Sequence, residues 1–132
     1  MNILSSSALA LALALVTLSA CSSSGGTAPT ISGLSITPTD ITVGAATTLN
    51  GQFDFTDADG DLADVTMTIQ RGTQTSSLPR APIQGVGGQK SGRAGFAALF
   101  QAGAAGPVEV HVTAYDGAGN VSNELTTTIT VR

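Results

Sequence analysis

The 132-residue sequence has no tryptophan, one tyrosine, one histidine and one cysteine. A single cysteine cannot form an intrachain disulfide, so stability must come from packing alone, whatever the redox compartment. With no Trp and a lone Tyr, a stacking platform for carbohydrate is poorly supplied. Positive charge is scarce too: five Lys and Arg stand against nine Asp and Glu, for a formal net charge of −4. A mildly acidic chain without a polybasic run lacks the electrostatic footprint of a nucleic-acid or anionic-lipid binder. No Gly-rich phosphate loop follows a strand, no Cys/His cluster has metal-ligand spacing, and no window beyond about ten residues keeps helical periodicity.

What is present starts at the N-terminus. Residues 1–20 carry no charge, and residues 8–16 alternate Ala and Leu before Val16. This is the apolar centre of a secretory signal and is set apart from the fold. It is too short and too Ala-rich for a membrane-spanning helix, which needs about 20 strongly apolar residues. Leu18-Ser19-Ala20-Cys21 then places a branched apolar residue and two small ones before the only cysteine. These residues resemble the lipobox of bacterial lipoproteins. The resemblance implies cleavage before Cys21, a diacylglyceryl thioether on its sulfur and acylation of the new N-terminus, so that a membrane is a partner through the lipid. Each buried methylene contributes about 0.8 kcal/mol, which makes two or three acyl chains a stable anchor where one is marginal. In that family, Ser rather than Asp at position 22 looks like an outer-membrane sorting signal, which places the protein in the cell envelope. Residues 1–5 depart from the family's pattern in having no Lys or Arg. Residues 21–29, Ser/Gly-rich after Cys21, are expected to be a flexible tether, and residues 30–132 the folded domain.

Within 30–132, short alternating segments are separated by Gly, Pro, Asp and Asn turns, which predicts an all-β fold. Strands are expected over 31–37 (broken by Pro38, with Ile41 and Val43 continuing), 47–56, 65–70, 94–101, 108–115 and 123–132. Period-two spacing turns Leu49, Phe53 and Phe55 inward, as it does Phe96, Ala98 and Phe100, then Val108, Val110, Val112 and Ala114, then Leu125, Ile129 and Val131. Residues 71–95, with Pro79, Pro82 and Gly85, Gly87, Gly88, Gly92 and Gly95, give no clear pattern. Four of the five basic residues (Arg71, Arg80, Lys90, Arg93) lie there, while five of the nine acids lie in 54–64. Attraction between the two segments is expected, at about 0–1 kcal/mol for each exposed pair.

Phe53-x-Phe55-x-Asp57-x-Asp59-Gly60-Asp61-Leu62, then Val65-x-Met67-x-Ile69, then Val108-x-Val110-x-Val112-x-Ala114-Tyr115-Asp116-x-Ala118-Gly119-Asn120 and a Thr-rich last strand resemble bacterial immunoglobulin-like domains. The resemblance implies an immunoglobulin-like β-sandwich of about seven antiparallel strands. In it 47–56 would be strand B, 65–70 strand C, 94–101 strand E, 107–116 strand F and 121–131 strand G. Without a B–F disulfide and a strand-C Trp the domain is not antibody-like. The implied role is a structural, adhesive or protein-binding module rather than an enzyme, with an unidentified protein or polysaccharide as partner and no nucleic acid. The alternative is a calcium-dependent ligand- or polysaccharide-binding module.

The acidic turn carries the chemistry. With Asp57 as the first position, an EF-hand would need Gly at position 6 and Glu at position 12, where this chain has Leu62 and Thr68. A looser calcium site remains, built from Asp57, Asp59 and Asp61 with Asp116 and Asn120, provided the B–C and F–G loops meet. The competing reading is solvated carboxylates that cap their own turns. His111 is outward on its strand between Glu109 and Thr113, a solvated position. No serine lies in a nucleophile turn, and no residue is assigned a catalytic role. Tyr115, also outward, either stacks on a ligand or covers the sheet edge. The outward Thr rows suit a wet face or an edge-pairing partner.

Overall fold

Period-two alternation becomes strand nearly everywhere it was read. The computed structural model describes residues 25–132; the signal segment, Cys21 and the first part of the tether lie outside the described residues. Nine strands follow one another: β1 Thr30–Thr37, β2 Asp40–Ile41, β3 Ala46–Thr56, β4 Leu62–Arg71, β5 Gln74–Ser77, β6 Ala81–Pro82, β7 Ser91–Gln101, β8 Gly106–Asp116 and β9 Val121–Val131. The two strands beyond the expected seven are β5 and β6, which form within residues 71–95, and the continuation expected after Pro38 is the separate strand β2.

The chain makes two sheets. One has three strands in the order β1-β3-β7; the other has six, in the order β2-β9-β8-β4-β5 with β6 also paired to β4. All pairings are antiparallel except β2 with β9. Their inward side chains form one apolar core, in which Leu49, Phe53 and Phe55 of β3 meet Val65, Met67 and Ile69 of β4 and Val108, Val110 and Val112 of β8. Phe100, expected in the core, is only partly buried beside the open edge of β7. The Phe53 and Phe96 rings lie 5.9 Å apart and tilted by 42°. Phe96 also covers Gly51, its cross-strand partner; a Cβ on Gly51 would lie 2.0 Å from the ring.

Asn123 ties the sheets together at their margin. Its Oδ1 accepts from the Ile31 N–H and its Nδ2 donates to the Ile31 carbonyl, both at 2.8 Å. The amide thus completes on β1 the two bonds that a neighbouring strand would otherwise make.

The expected attraction between the acidic and basic segments takes specific form. Arg93 Nε lies 3.2 Å from Asp54 Oδ1, and Arg80 lies 4.0 Å from Asp64 Oδ2 and 4.0 Å over the Tyr115 ring. Tyr115 therefore serves as a platform for a neighbouring guanidinium. Arg71 turns the other way and donates to the carbonyls of Ala104 and Ala105.

Candidate functional site

The β3–β4 loop is organised by Asp57, which is 1% exposed. Its Oδ1 accepts from the Asp59 N–H at 3.1 Å and its Oδ2 from the Asp61 N–H at 3.2 Å. Gly60, at φ 69°, closes the turn by donating to the Asp57 carbonyl at 3.1 Å. The β8–β9 loop repeats the device. Asp116, 5% exposed, accepts at Oδ1 from the N–H groups of Ala118 (3.0 Å) and Asn120 (2.7 Å), and at Oδ2 from Asn120 Nδ2 (2.7 Å). Gly119 is the positive-φ residue here, at 89°. Asp57 and Asp116 do cap their turns, but neither is solvated. Each is buried because backbone donors replace the water that a carboxylate otherwise needs.

The two loops meet. The Gly117 N–H donates to the Asp61 carbonyl at 2.7 Å, which brings Asp116 close enough for its charge to be felt by Asp61. Asp57, Asp59 and Asp61 each offer a carboxylate oxygen, all within 4.8 Å of one another. Asp61 Oδ1 is buried without a hydrogen-bond partner. Burial raises the Asp61 pKa above the usual carboxylate value, and the charges of Asp116, Asp57 and Asp59 push it further the same way, against a backbone hydrogen bond that lowers it. Among the described residues, no ion pair neutralises any of these four acids.

This donor set fits a hard divalent cation. Calcium takes six to eight oxygen ligands in flexible geometry. A carboxylate oxygen that accepts one N–H keeps a second lone pair, and Asp61 Oδ1 is committed to none. Of the five expected ligands, Asp57, Asp59 and Asp61 form the cluster. Asp116 adjoins it with both oxygens engaged by its own loop, and Asn120 is bonded to Asp116 through its Nδ2.

The start of the described chain lies on the same end. The Thr27 N–H donates to Asp59 Oδ2 at 2.5 Å, Asn120 Nδ2 reaches the Gly25 carbonyl at 3.4 Å, and Pro29 is buried. The part of the tether from residue 25 onward is therefore laid across both acidic loops. Nothing local in the sequence marks these contacts, which span 32 and 95 residues.

His111 is less solvated than its outward strand position suggests, with a side chain 18% exposed. Its Nδ1 lies 2.8 Å from Glu124 Oε1 and 3.2 Å from the Thr126 hydroxyl, and its Nε2 3.3 Å from Glu109 Oε2. The hydrogen bond to Glu124 raises its pKa against the opposing effect of burial, and Glu109 adds to the rise. A raised folded-state pKa means that protonation stabilises the fold. The contribution is complete below the unfolded value near 6.5 and is lost as pH climbs through the folded one. Urea denaturation at about pH 6 should therefore show up to about 1 kcal/mol more stability than at about pH 8.5. His111→Gln should flatten that difference; an equal slope in both proteins would remove the histidine as its source.

No protein-family model matches this chain, and no curated protein does. Among solved structures, Pseudomonas fluorescens alkylpurine DNA glycosylase AlkC, bound to DNA containing an abasic site analogue, is similar with a TM-score of 0.48 and 17% identity. That likeness covers 81% of this chain and 31% of that one. Spo0M, a sporulation control protein from Bacillus subtilis, has a TM-score of 0.48 and 10% identity, over 80% of this chain and 50% of that one. The chain thus spans at most half the length of either, and at these values neither carries a function to it.

Proposed function

We propose that this chain is a cell-envelope lipoprotein whose single immunoglobulin-like β-sandwich is a non-catalytic binding module with a calcium site at its acidic end. The observation that carries the calcium reading is Asp61 Oδ1, buried without a donor among carboxylates that no basic side chain neutralises. Asp57, Asp59 and Asp61 would hold the ion, which would supply the positive charge this cluster lacks. Calcium suits an irregular set of loop oxygens better than magnesium, which demands near-ideal octahedral geometry. An ion there would join the β3–β4 loop to the tether, because Asp59 already holds the Thr27 N–H. The module would then present itself to a protein or polysaccharide partner in a fixed posture on its anchor.

The strand order supports the immunoglobulin-like assignment. β1, β3 and β7 take the places of strands A, B and E in one sheet, and β4, β8 and β9 those of C, F and G in the other. The lipobox at residues 18–21 supports the anchor, with Cys21 as the lipidated residue. Isothermal titration with calcium, beside magnesium as control, tests the site: saturable uptake is expected in the wild type and none in Asp61→Asn. A flat wild-type titration at millimolar calcium would sink the proposal. For the anchor, Cys21→Ser should move the protein from the membrane fraction to the soluble one, and unchanged fractionation would refute lipidation.

A further inference from the structure

β7 is the open edge of the three-stranded sheet. On one side it pairs with β3 from Ser91 to Gln101. On the other, its only strand partner among the described residues is Gln84, which exchanges N–H···O bonds with Gly95 at 2.8 and 3.0 Å. The cause lies in the preceding chain. β6, ending at Pro82, is paired to β4 of the other sheet, so only Gln84 reaches the position beside β7. Since strand residues alternate, the backbone groups of Ala97, Leu99 and Gln101 face the same free side as those of Gly95.

Protein edges are usually blunted by charge, proline or a bulge. Residues 94–101 (Ala-Gly-Phe-Ala-Ala-Leu-Phe-Gln) contain neither charge nor proline, and their register with β3 is unbroken. Leu99 is 66% exposed on the outer face. Beside the edge, Leu78, Pro79, Arg80 and Pro82 with Ala98 and Leu99 line a largely apolar groove of about 440 Å³. The other sheet's edge strand β5 is, by contrast, four exposed polar residues.

We propose that this edge pairs with the same edge of a second copy of the chain, antiparallel across a two-fold axis. The occupant is a second copy because the stripe is complementary to itself. With Leu99 opposite Leu99 of the other copy, Ala97 falls opposite Gln101, and every free backbone group of the stretch finds a donor or acceptor. The two Leu99 side chains then cover each other on the outer face. On the inner face Ala98 falls opposite Phe100, against the Leu78–Pro79–Pro82 wall. The stripe carries no acid, and the charge in the groove, Arg80, is paired with Asp64 of its own chain, so a protein of net charge −4 repels its twin least there. The proposal uses no residue of the acidic end, so it stands or falls independently of the calcium site.

The test uses the chain carrying Cys21→Ser, so that the native thiol can neither be lipidated nor cross-link, followed by sedimentation velocity up to high micromolar concentration. A concentration-dependent dimer is expected, and Leu99→Lys should weaken it at least about tenfold while leaving the melting temperature unchanged. Leu99→Cys should give a disulfide-linked dimer under mild oxidation, whereas Thr126→Cys on the opposite sheet should not. A protein that stays monomeric, a Leu99→Lys variant that dimerises as well as wild type, or cross-linking that is as efficient through Thr126→Cys would each overturn the proposal. Binding of an extended peptide at the edge by a chain that never self-associates would overturn it too.

Discussion

Calcium at about one hundred times its dissociation constant is expected to stabilise the folded chain by about 2.7 kcal/mol. For a domain of about 100 residues this corresponds to a rise of about ten degrees in melting temperature. The acids at this end repel one another in the folded state, and in the unfolded chain that repulsion relaxes. The raised Asp61 pKa records the strain and fixes its sign. A carboxyl whose folded pKa lies above its unfolded value destabilises the fold while ionised. That penalty is complete above the folded pKa and vanishes as pH falls below the unfolded value of 3.8. Calcium should therefore stabilise most at neutral pH and progressively less on acidification, because protons compete for its ligands. Asp61→Asn separates the two effects. The variant should melt higher than wild type in chelator and fail to respond to added calcium. Asp59→Ala should also abolish the response, but without Asp59 it also loses the contact with Thr27. A wild-type melt indifferent to millimolar calcium would end the hypothesis.

Gly51→Ala should cost about 3 kcal/mol or more, a large share of the 5–15 kcal/mol that holds a domain of this kind. The new methyl would lie 2.0, 2.3 and 2.6 Å from three carbons of the Phe96 ring. That ring cannot retreat freely: it is 4% exposed and packs on Phe53, which is fully buried. Ordinarily Ala is better than Gly in a strand by about 0.5–1 kcal/mol, so a large loss would isolate the collision from backbone propensity. Phe96→Leu should itself be destabilising. Combined with Gly51→Ala, however, it should cost clearly less than the two single losses added, since the smaller side chain makes room for the methyl. Urea midpoints for the four proteins measure the coupling. A Gly51→Ala variant within about 0.5 kcal/mol of wild type would show that the pocket yields.

Where a strand has one wet and one dry face, the sequence states it openly. Val108, Val110, Val112 and Ala114 alternate with Glu109, His111, Thr113 and Tyr115, and the first set is buried. β5 is wet on both faces, so Gln74–Ser77 alternates nothing and its pairing with β4 is invisible locally. β2 is a strand only because Thr130 and Val131 lie beside it, some ninety residues later. Ser91, Gly92 and Arg93 extend β7 beyond its expected start because β3 is long enough to pair with them.

The acidic end was half legible. The Asp-rich spacing marks the loop, and the expected immunoglobulin-like topology would bring its neighbour close, as the pairing of Leu62 with Asp116 between β4 and β8 does. Burial of Asp57 and Asp116 runs against the expectation for an acid in a turn, which is ordinarily in water. A signal did exist: both loops put Gly three residues after the Asp, at Gly60 and Gly119, where positive φ lets the chain curl back onto the carboxylate. Asn123 had no such signal, since its partner Ile31 is 92 residues away.

The parallel pairing of β2 with β9 has a mechanical consequence. Residue 25 lies at the acidic-loop end, while Arg132 emerges at the other, where the Val43 N–H holds its carbonyl and Arg132 N–H holds the carbonyl of Ile41. A pull between the two termini drags β2 and β9 in opposite directions along their own axes. The Thr130 N–H bond to the Thr39 carbonyl, those two Arg132 contacts and the Arg132–Asp40 pair lie across that line and carry the load together. Tension along the domain is met in shear by a set of bonds that must fail at once, whereas a sideways force on β5 could peel that strand from β4 one bond at a time.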